Sequence, residues 1–326
     1  MDVTQTHTVH DLAHGSPLIS CRFDPSGQFV FAGAEDYRVW RWQIDDGVKT
    51  ELPADAWVRG MAFADEGRTI ITGGYDGRVI WWPVEIEKPK PARTIDAHQG
   101  WVRSVAVSPD GSTVASVGND LVVRLWNAAD GSLVREMTGH ESHIYNVAFH
   151  PDGKRLATGD LKCNVFDWDV ATGEKIRAWQ AESLTKYDKT FLAFIGGFRG
   201  MTFSADGERL ACCGITNVSN AFAGVGNPSV VEFDWEAGTP LVEHLAKGKI
   251  QGTAWGVALH PDGTTIGAVG GNGGFLLFWK PDGKEEFHQM KLPNTARDLD
   301  LSPDGLHLAT AHHDGHLRIH KMDVKV

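Results

Sequence analysis

Arginine and aromatic side chains recur at one equivalent place along this chain. The residue just after the first apolar position of seven similar segments is, in order, Ile19, Arg59, Arg103, Tyr145, Arg199, Trp255 and Arg297. Guanidinium forks pair bidentately with carboxylate or phosphate. Tyr, Trp and Arg are also the types that concentrate binding energy at interfaces. One place earlier stand Trp57, Trp101 and His143. On a chain of net charge −11, equivalent arginines point to an anion-binding surface. The alternative is that each pairs with a nearby acid such as Asp55 or Asp298. Histidines form a second group: His312, His313, His316 and His320, with His7 and His10 on a segment expected beside them. Imidazoles ligate metals. Strand alternation would turn neighbours to opposite faces, however, and no carboxylate or thiolate is fixed beside them. They read as structural histidines, and no metal is assigned. G-x-S-x-G, P-loop and H-E-x-x-H motifs are absent, so no catalytic residue and no cofactor is assigned either.

The elements that position these residues announce themselves by a repeated turn. A Pro/Ala-Asp-Gly tetrad, or a close variant, ends at Gly27, Gly67, Gly111, Gly153, Gly207, Gly263 and Gly305, with spacings of 40, 44, 42, 54, 56 and 42 residues. Pro presets φ, Asp caps the turn, and Gly accepts positive φ, so each copy is a tight turn between two strands. In the third copy VRSVAVS (102–108) precedes the turn and TVASVG (113–118) follows it. VVRLW (122–126) and LVREMTGH (133–140) come next. Four short strands with a period near 42 residues make one propeller blade, and seven blades closed in a ring protect each other's edges.

Composition agrees. Apolar residues are 42% and charged residues 22%, enough for a large core and too few charges for a disordered chain. The 37 glycines and 12 tryptophans suit many short strands with tight turns. The acidic balance disfavours nucleic acid as a partner. Cys21, Cys163, Cys212 and Cys213 show no C-x-x-C spacing and read as buried thiols of a reducing compartment. MDVTQTHTV carries no signal-peptide pattern, and no apolar run is long enough for a membrane span. The expectation is a soluble, cytoplasmic protein with no membrane partner.

These motifs resemble the WD-repeat β-propeller family over essentially the whole chain. Blade 3 carries His98, Ser116, Asp120 and Trp126 at the signature places, which in the family form a structural hydrogen-bond network. Blade 4 has His140, Thr158, Trp168 and Asp169, with Lys162 where the Asp should stand. Blade 1 has His14, Asp36 and Trp42 but Ala32 in the hydroxyl place, and blade 2 has Thr72, Asp76 and Trp82 but Ala54 in the His place. Blades 5 and 6 diverge most. The resemblance implies an all-β fold: one seven-bladed β-propeller over residues 1–326, with four-stranded antiparallel blades. LRIHKM (317–322) is the third strand of blade 7, so THTVHDLAH (6–14) is expected to supply its fourth.

By the same resemblance, the arginine-bearing position rims the channel on the top face, with Trp57, Trp101 and His143 beside it. Two insertions, 181–197 and 217–229, are expected on that face. The first carries Phe191, Leu192, Phe194, Ile195 and Phe198, either as a satellite core or as a ledge for a partner. The function implied is a non-catalytic scaffold, a monomeric platform within a larger complex, binding a protein or peptide through an acidic group. A sensor of a small anion or phospho-ligand uses the same arginines. A propeller hydrolase or lactonase is the third reading, and an Arg-rich rim would repel its metal.

Overall fold

The computed structural model describes residues 1–220, 225–248, 250–271 and 273–325. Among them are seven four-stranded antiparallel sheets and one separate two-stranded hairpin. Each sheet is one blade, and its first strand is innermost. The seventh blade is completed by the N-terminus: His7–Ala13 pairs antiparallel with His316–Lys321. The N-terminal strand thus closes the ring and covers the edge of His316–Lys321.

Six of the seven repeated turns close with a bond from the Gly N–H to the O three residues earlier, while the second, Asp65–Gly67, is a 3-10 turn with Asp65 and Glu66 also at positive φ. Glycines 27, 67, 111, 153, 207, 263 and 305 all have φ between 70° and 92°. At Ser108-Pro109-Asp110-Gly111 the Gly111 N–H donates to Ser108 O at 2.8 Å, and Asp110 accepts from the Ser108 and Ser112 hydroxyls. The hydroxyl of Ser108 in turn accepts from the Thr113 N–H at 3.0 Å. The turn therefore carries its own polar partners and does not depend on neighbouring blades.

Strand alternation sends one side chain to each flanking blade, so the core consists of layers between blades. One layer joins Leu18, Cys21 and Trp42 of blade 1 to Ala309, Leu317 and Ile319 of blade 7. Another joins Ala115, Val117 and Leu125 of blade 3 to Ile144, Leu156 and Trp168 of blade 4. Small residues let neighbouring backbones approach: a Cβ on Gly33 would lie 2.0 Å from Val58 O of the next blade. All four cysteines are buried free thiols, and burial raises their pKa values.

The signature networks differ from the sequence expectation at one blade. In blade 3 His98 Nδ1 lies 2.8 Å from Asp120 Oδ1 and His98 Nε2 lies 2.7 Å from Ser116 Oγ. Trp126 Nε1 donates to the same hydroxyl at 2.8 Å. Blade 4 was expected to lack its acid at Lys162, yet its network is complete. Asp160, two residues earlier and fully buried, lies 3.0 Å from His140 Nδ1. His140 Nε2 and Trp168 Nε1 meet Thr158 Oγ1 at 2.7 and 2.8 Å. Blades 5 and 6 instead remove both polar partners together. Cys212 and Ala268 occupy the hydroxyl place, and Phe233 and Phe278 the Trp place. Replacing both partners by apolar groups avoids an unsatisfied buried donor.

The two insertions are hairpins. Thr185–Asp188 pairs with Ala193–Gly196 in the first. The second lengthens the middle strands of blade 5 to Arg209–Asn220 and Val225–Asp234. Residues 221–224 of the expected 217–229 insertion lie outside the described residues.

Candidate functional site

A β-bulge puts the recurring residue at the channel mouth. In blade 3 Val102 pairs with Gly118 and Ser104 with Val117, which leaves Arg103 as an extra residue outside the ladder. The same skip isolates Ile19, Arg59, Tyr145, Trp255 and Arg297. In blade 5 Arg199 N–H donates to Cys213 O at 2.8 Å, while Gly200 stands opposite the same Cys213. Bulges re-aim side chains. Here they turn one residue per blade out of the interblade layers.

Three of the four arginines converge. Arg59, Arg103 and Arg199 all line the central channel, a space of ≈ 380 Å³. The guanidinium of Arg103 sits 4.6 Å from the Trp101 ring and 4.4 Å from the Tyr145 ring. That of Arg199 sits 5.4 Å from Tyr145 and 5.1 Å from Trp255, and that of Arg59 lies 5.7 Å from Trp255. The contacts run from Trp101 and Arg103 of blade 3 through Tyr145 and Arg199 to Trp255 of blade 6, and Arg59 of blade 2 reaches across the channel to Trp255 and to Arg199 O. Each cation is held against ring faces, a favourable arrangement for a guanidinium.

No carboxylate neutralises these three among the described residues. Arg103 Nε donates to the neutral Asn119 Oδ1 at 2.8 Å. Arg59 Nη2 donates to Arg199 O at 3.1 Å, and Arg199 Nη2 to Gly196 O at 3.3 Å. Arg199 Nε is buried with no partner. Burial lowers the pKa of Arg199, and the charges of Arg59 and Arg103 act in the same direction against Tyr145. His143, exposed beside them, is lowered by partial burial and by Arg103.

The fourth arginine does not share this state, which corrects the expectation of a four-arginine ring. Arg297 Nη1 meets Glu35 Oε1 at 2.5 Å. The acids considered for pairing are engaged elsewhere: Asp55 with Arg78 at 3.6 Å and Asp298 with Arg22 at 3.2 Å. Ile19 is buried and offers no polar group.

Sequence reasoning missed several contributors. Tyr37 and Tyr75, in the turns between the second and third strands, extend the aromatic surface. Tyr75 stacks on Trp101 at 4.3 Å and 9°, and Trp57 lies between the two tyrosines at 6.3 and 6.0 Å. Their signal was the repeated turn pattern EDYR (35–38) and YDGR (75–78). The channel wall also holds Asp298 and Asp300, so it is not wholly cationic. Both are engaged: Cys21 N–H donates to Asp298 at 3.0 Å and Phe23 N–H to Asp300 at 2.8 Å, with Arg22 between them.

The insertion splits between the two roles considered for it. Leu184 and Phe198 are fully buried in the blade 4–5 layer. Phe191, Leu192 and Phe194 remain 51%, 75% and 38% exposed. Phe194 packs on Tyr187 at 5.1 Å, with Lys162 Nζ 5.2 Å from its ring. The Arg199–Gly196 bond ties this hairpin to the mouth.

The histidines near the closure seam bond to the scaffold. His312 and His320 share the Thr310 hydroxyl at 2.7 and 2.8 Å, His320 Nδ1 lies 3.1 Å from Thr8 Oγ1, and His316 Nδ1 lies 2.6 Å from Asp11. No three metal-ligating side chains of the described residues gather at one point. No helix among them is long and apolar enough to cross a membrane.

Seven four-stranded blades closed by the N-terminal strand define a β-propeller. The chain belongs to the WD domain, G-beta repeat family, whose profile matches residues 4–43, 48–83, 89–127, 131–167 and 288–321. The unmatched stretch holds blades 5 and 6, where the polar network is replaced. The chain is similar to Protein HIR1 of Mycosarcoma maydis, 26% identical over 145 residues. It is also similar to the Periodic tryptophan protein 2 homolog of Schizosaccharomyces pombe, 25% identical over 123 residues. These matches cover 38% and 37% of this chain and 14% of each relative. Protein hir1 of Schizosaccharomyces pombe is 24% identical over 147 residues, covering 39% of this chain and 16% of that protein. The chain spans only a small fraction of these relatives' length.

Proposed function

We propose that this protein is a non-catalytic recognition platform that holds a protein or peptide partner at the channel mouth. Arg59, Arg103 and Arg199 engage an acidic group of the partner. Trp57, Trp101, Tyr145 and Trp255 supply apolar contact, and the Phe191–Phe194 hairpin forms one wall. The observation that carries this reading is three ring-clamped guanidiniums without a carboxylate partner in one concave mouth. A concave site with low-dielectric walls focuses positive potential even on an acidic protein. Rigid aromatic anchors beside clustered arginines are the composition of interface hot spots.

The test is Arg59→Glu with Arg103→Glu in the full chain. Affinity purification with cross-linking should lose the partners that cross-link to the mouth, while the double variant keeps the wild-type melting profile. An unchanged partner set, or cross-links confined to the opposite face, would overturn the assignment.

A further inference from the structure

We propose a second binding site on the face opposite the mouth: a groove between blades 2 and 3 that takes an extended peptide segment of a partner, with an apolar side chain seated beside an acidic one. The groove holds ≈ 430 Å³, within the range of sites that enclose a ligand. Asp65 and Gly111, in turns between first and second strands, line its inner end. Arg93, Ala128 and Ala129, at the start of the outer strand of blade 2 and in the outer turn of blade 3, line its outer end. Neighbouring strands are antiparallel, so these turns lie at the end of each blade away from the bulged arginines.

A local departure from the repeat opens this seam. In five of the other six seams, the turn of the preceding blade closes onto the turn glycine of the next. A Cβ on Gly67, Gly153 or Gly27 would lie 3.1, 3.7 or 4.0 Å from Pro25, Pro109 or Pro303. One on Gly207 or Gly305 would meet the ring of His150 or His260, and those imidazoles lie 3.1 and 2.9 Å from Gly207 O and Gly305 O. Blade 2 instead carries Ala64-Asp65-Glu66-Gly67, with no ring and no proline. A Cβ on Gly111 meets nothing within 4 Å. Asp65 and Glu66 are held at φ of 53° and 56°, a conformation that costs energy outside glycine and gathers at binding sites.

The lining sets the chemistry of the occupant. Ala64, Ala92, Ala128 and Ala129 keep the walls short, and Trp81 underlies them with its Nε1 committed to Ala128 O at 3.0 Å. The space between is apolar and fits an apolar side chain. Charge at the outer end comes from Arg93. It stands opposite Trp81 in the ladder, as Arg135 stands opposite Leu125 and Arg177 opposite Asp167. All three reach carbonyls in the outer turn of the next blade. Arg135 and Arg177 use both terminal nitrogens there. Arg93 uses Nη1 alone, on Ala129 O at 2.8 Å, and forms no ion pair among the described residues. Asp65 spends both carboxylate oxygens on Arg68, and Asp130 accepts from Ser132 N–H and Oγ at 2.8 and 2.6 Å. The half-used guanidinium fork matches a carboxylate brought by the ligand.

The experiment pans a random peptide display library against the full chain and measures the selected peptides by fluorescence anisotropy. Two variants probe the groove. Ala64→Ser with Asp65→Pro and Glu66→Asp gives blade 2 the turn of blade 3 and closes the seam. Arg93→Gln removes the charge and leaves the seam open. A set of peptides pairing an apolar residue with Asp or Glu should lose all binding to the first variant and about tenfold to the second. Changing the peptide's acid to its amide should cost the same tenfold on the wild-type chain and nothing more on Arg93→Gln, the signature of a direct pair. These peptides should bind the Arg59→Glu, Arg103→Glu chain as they bind wild type. A selection in which no peptide is weakened by either groove variant overturns the site, and where its peptides are lost with the mouth variant it leaves the mouth reading standing. Groove peptides that bind as well without their acid overturn the Arg93 assignment. Should the turn variant melt below wild type, Arg93→Gln and the amide exchange decide the question by themselves.

Discussion

Replacing Arg199 by methionine should change the stability of the free protein little, while abolishing recognition. Four contributions oppose one another. Removing a buried donor that lacks a partner returns roughly 1–3 kcal/mol. The Nη2 bond to Gly196 O is lost, at roughly 1.5–3 kcal/mol for a charged donor. Two ring contacts at 5.1 and 5.4 Å are lost, at about 0.5–1 kcal/mol each. The methionine sulfur regains about 0.3–1.5 kcal/mol against the same two rings. Relief of repulsion with Arg59 and Arg103 adds to the favourable side. The terms nearly cancel, so the sign is set by how much the unliganded cation resents its burial.

The melting temperature reads this directly. At roughly 2.1 cal/mol/K per residue, 326 residues give an unfolding entropy of about 0.7 kcal/mol/K. Each kcal/mol then moves Tm by about 1.5 °C. Differential scanning calorimetry should place Arg199→Met within roughly 3 °C of the wild-type Tm. A fall of several degrees would refute the reasoning, since it would make Arg199 a structural clamp on the Gly196 hairpin and not a binding group held against its own stability. Functional sites commonly carry such stored cost.

Other outcomes follow from the scaffold. Asp120→Ala leaves His98 and Arg124 short of an acceptor and should cost on the order of 1–3 kcal/mol by urea denaturation. Asp160→Ala should cost at least as much, because Asp160 and His140 are both shielded from water, whereas Asp36→Ala should cost less since Ala32 leaves that network incomplete. Removing residues 1–12 strips the outer strand from blade 7, and light scattering should report aggregation through the bared His316–Lys321 edge. Burial holds His312 at about 4 and His320 at about 3, below the ordinary 6.5. Unfolding therefore takes up protons, so their contribution is full above pH 6.5 and is lost as pH falls toward 4. His320→Phe should flatten that part of the stability curve.

The fold was legible because its signals are local. A positive-φ glycine every forty-odd residues fixes the turns, and alternation between them fixes the strands. The equivalence of Arg59, Arg103 and Arg199 was legible for the same reason: a repeat places equivalent residues in equivalent positions. What the sequence hid was pairing between blades. Glu35 meets Arg297 across 262 residues of chain, through a ring closure that no local pattern reports. Asp160 replaces a signature acid from two residues away, because a buried imidazole requires an acceptor and not a particular position to supply it. Tyr37 and Tyr75 sit in turns, where side-chain direction depends on backbone angles such as the φ of 68° at Tyr37.

Symmetry therefore predicts where the mouth residues lie and fails to predict what state they are in. Seven equivalent bulges would give a uniform ring, and a uniform ring would hold an anion without orienting what carries it. The protein departs from that symmetry on one side. Glu35 cancels Arg297, and buried Ile19 removes polarity at the next blade. The un-neutralised charge is confined to Arg59, Arg103 and Arg199. On that side Trp101, Tyr145 and Trp255 carry the guanidiniums, and the insertion hairpin is bonded to the rim through Gly196. A ligand seated by charge on that side would have the stacked Tyr75 and Trp101 rings, and the Trp57 ring tilted against Tyr75, beside it for its neighbouring residues. The divergence of single positions from the repeat is thus what gives the mouth a polarity, and polarity is what a site needs to read a sequence and not only a charge.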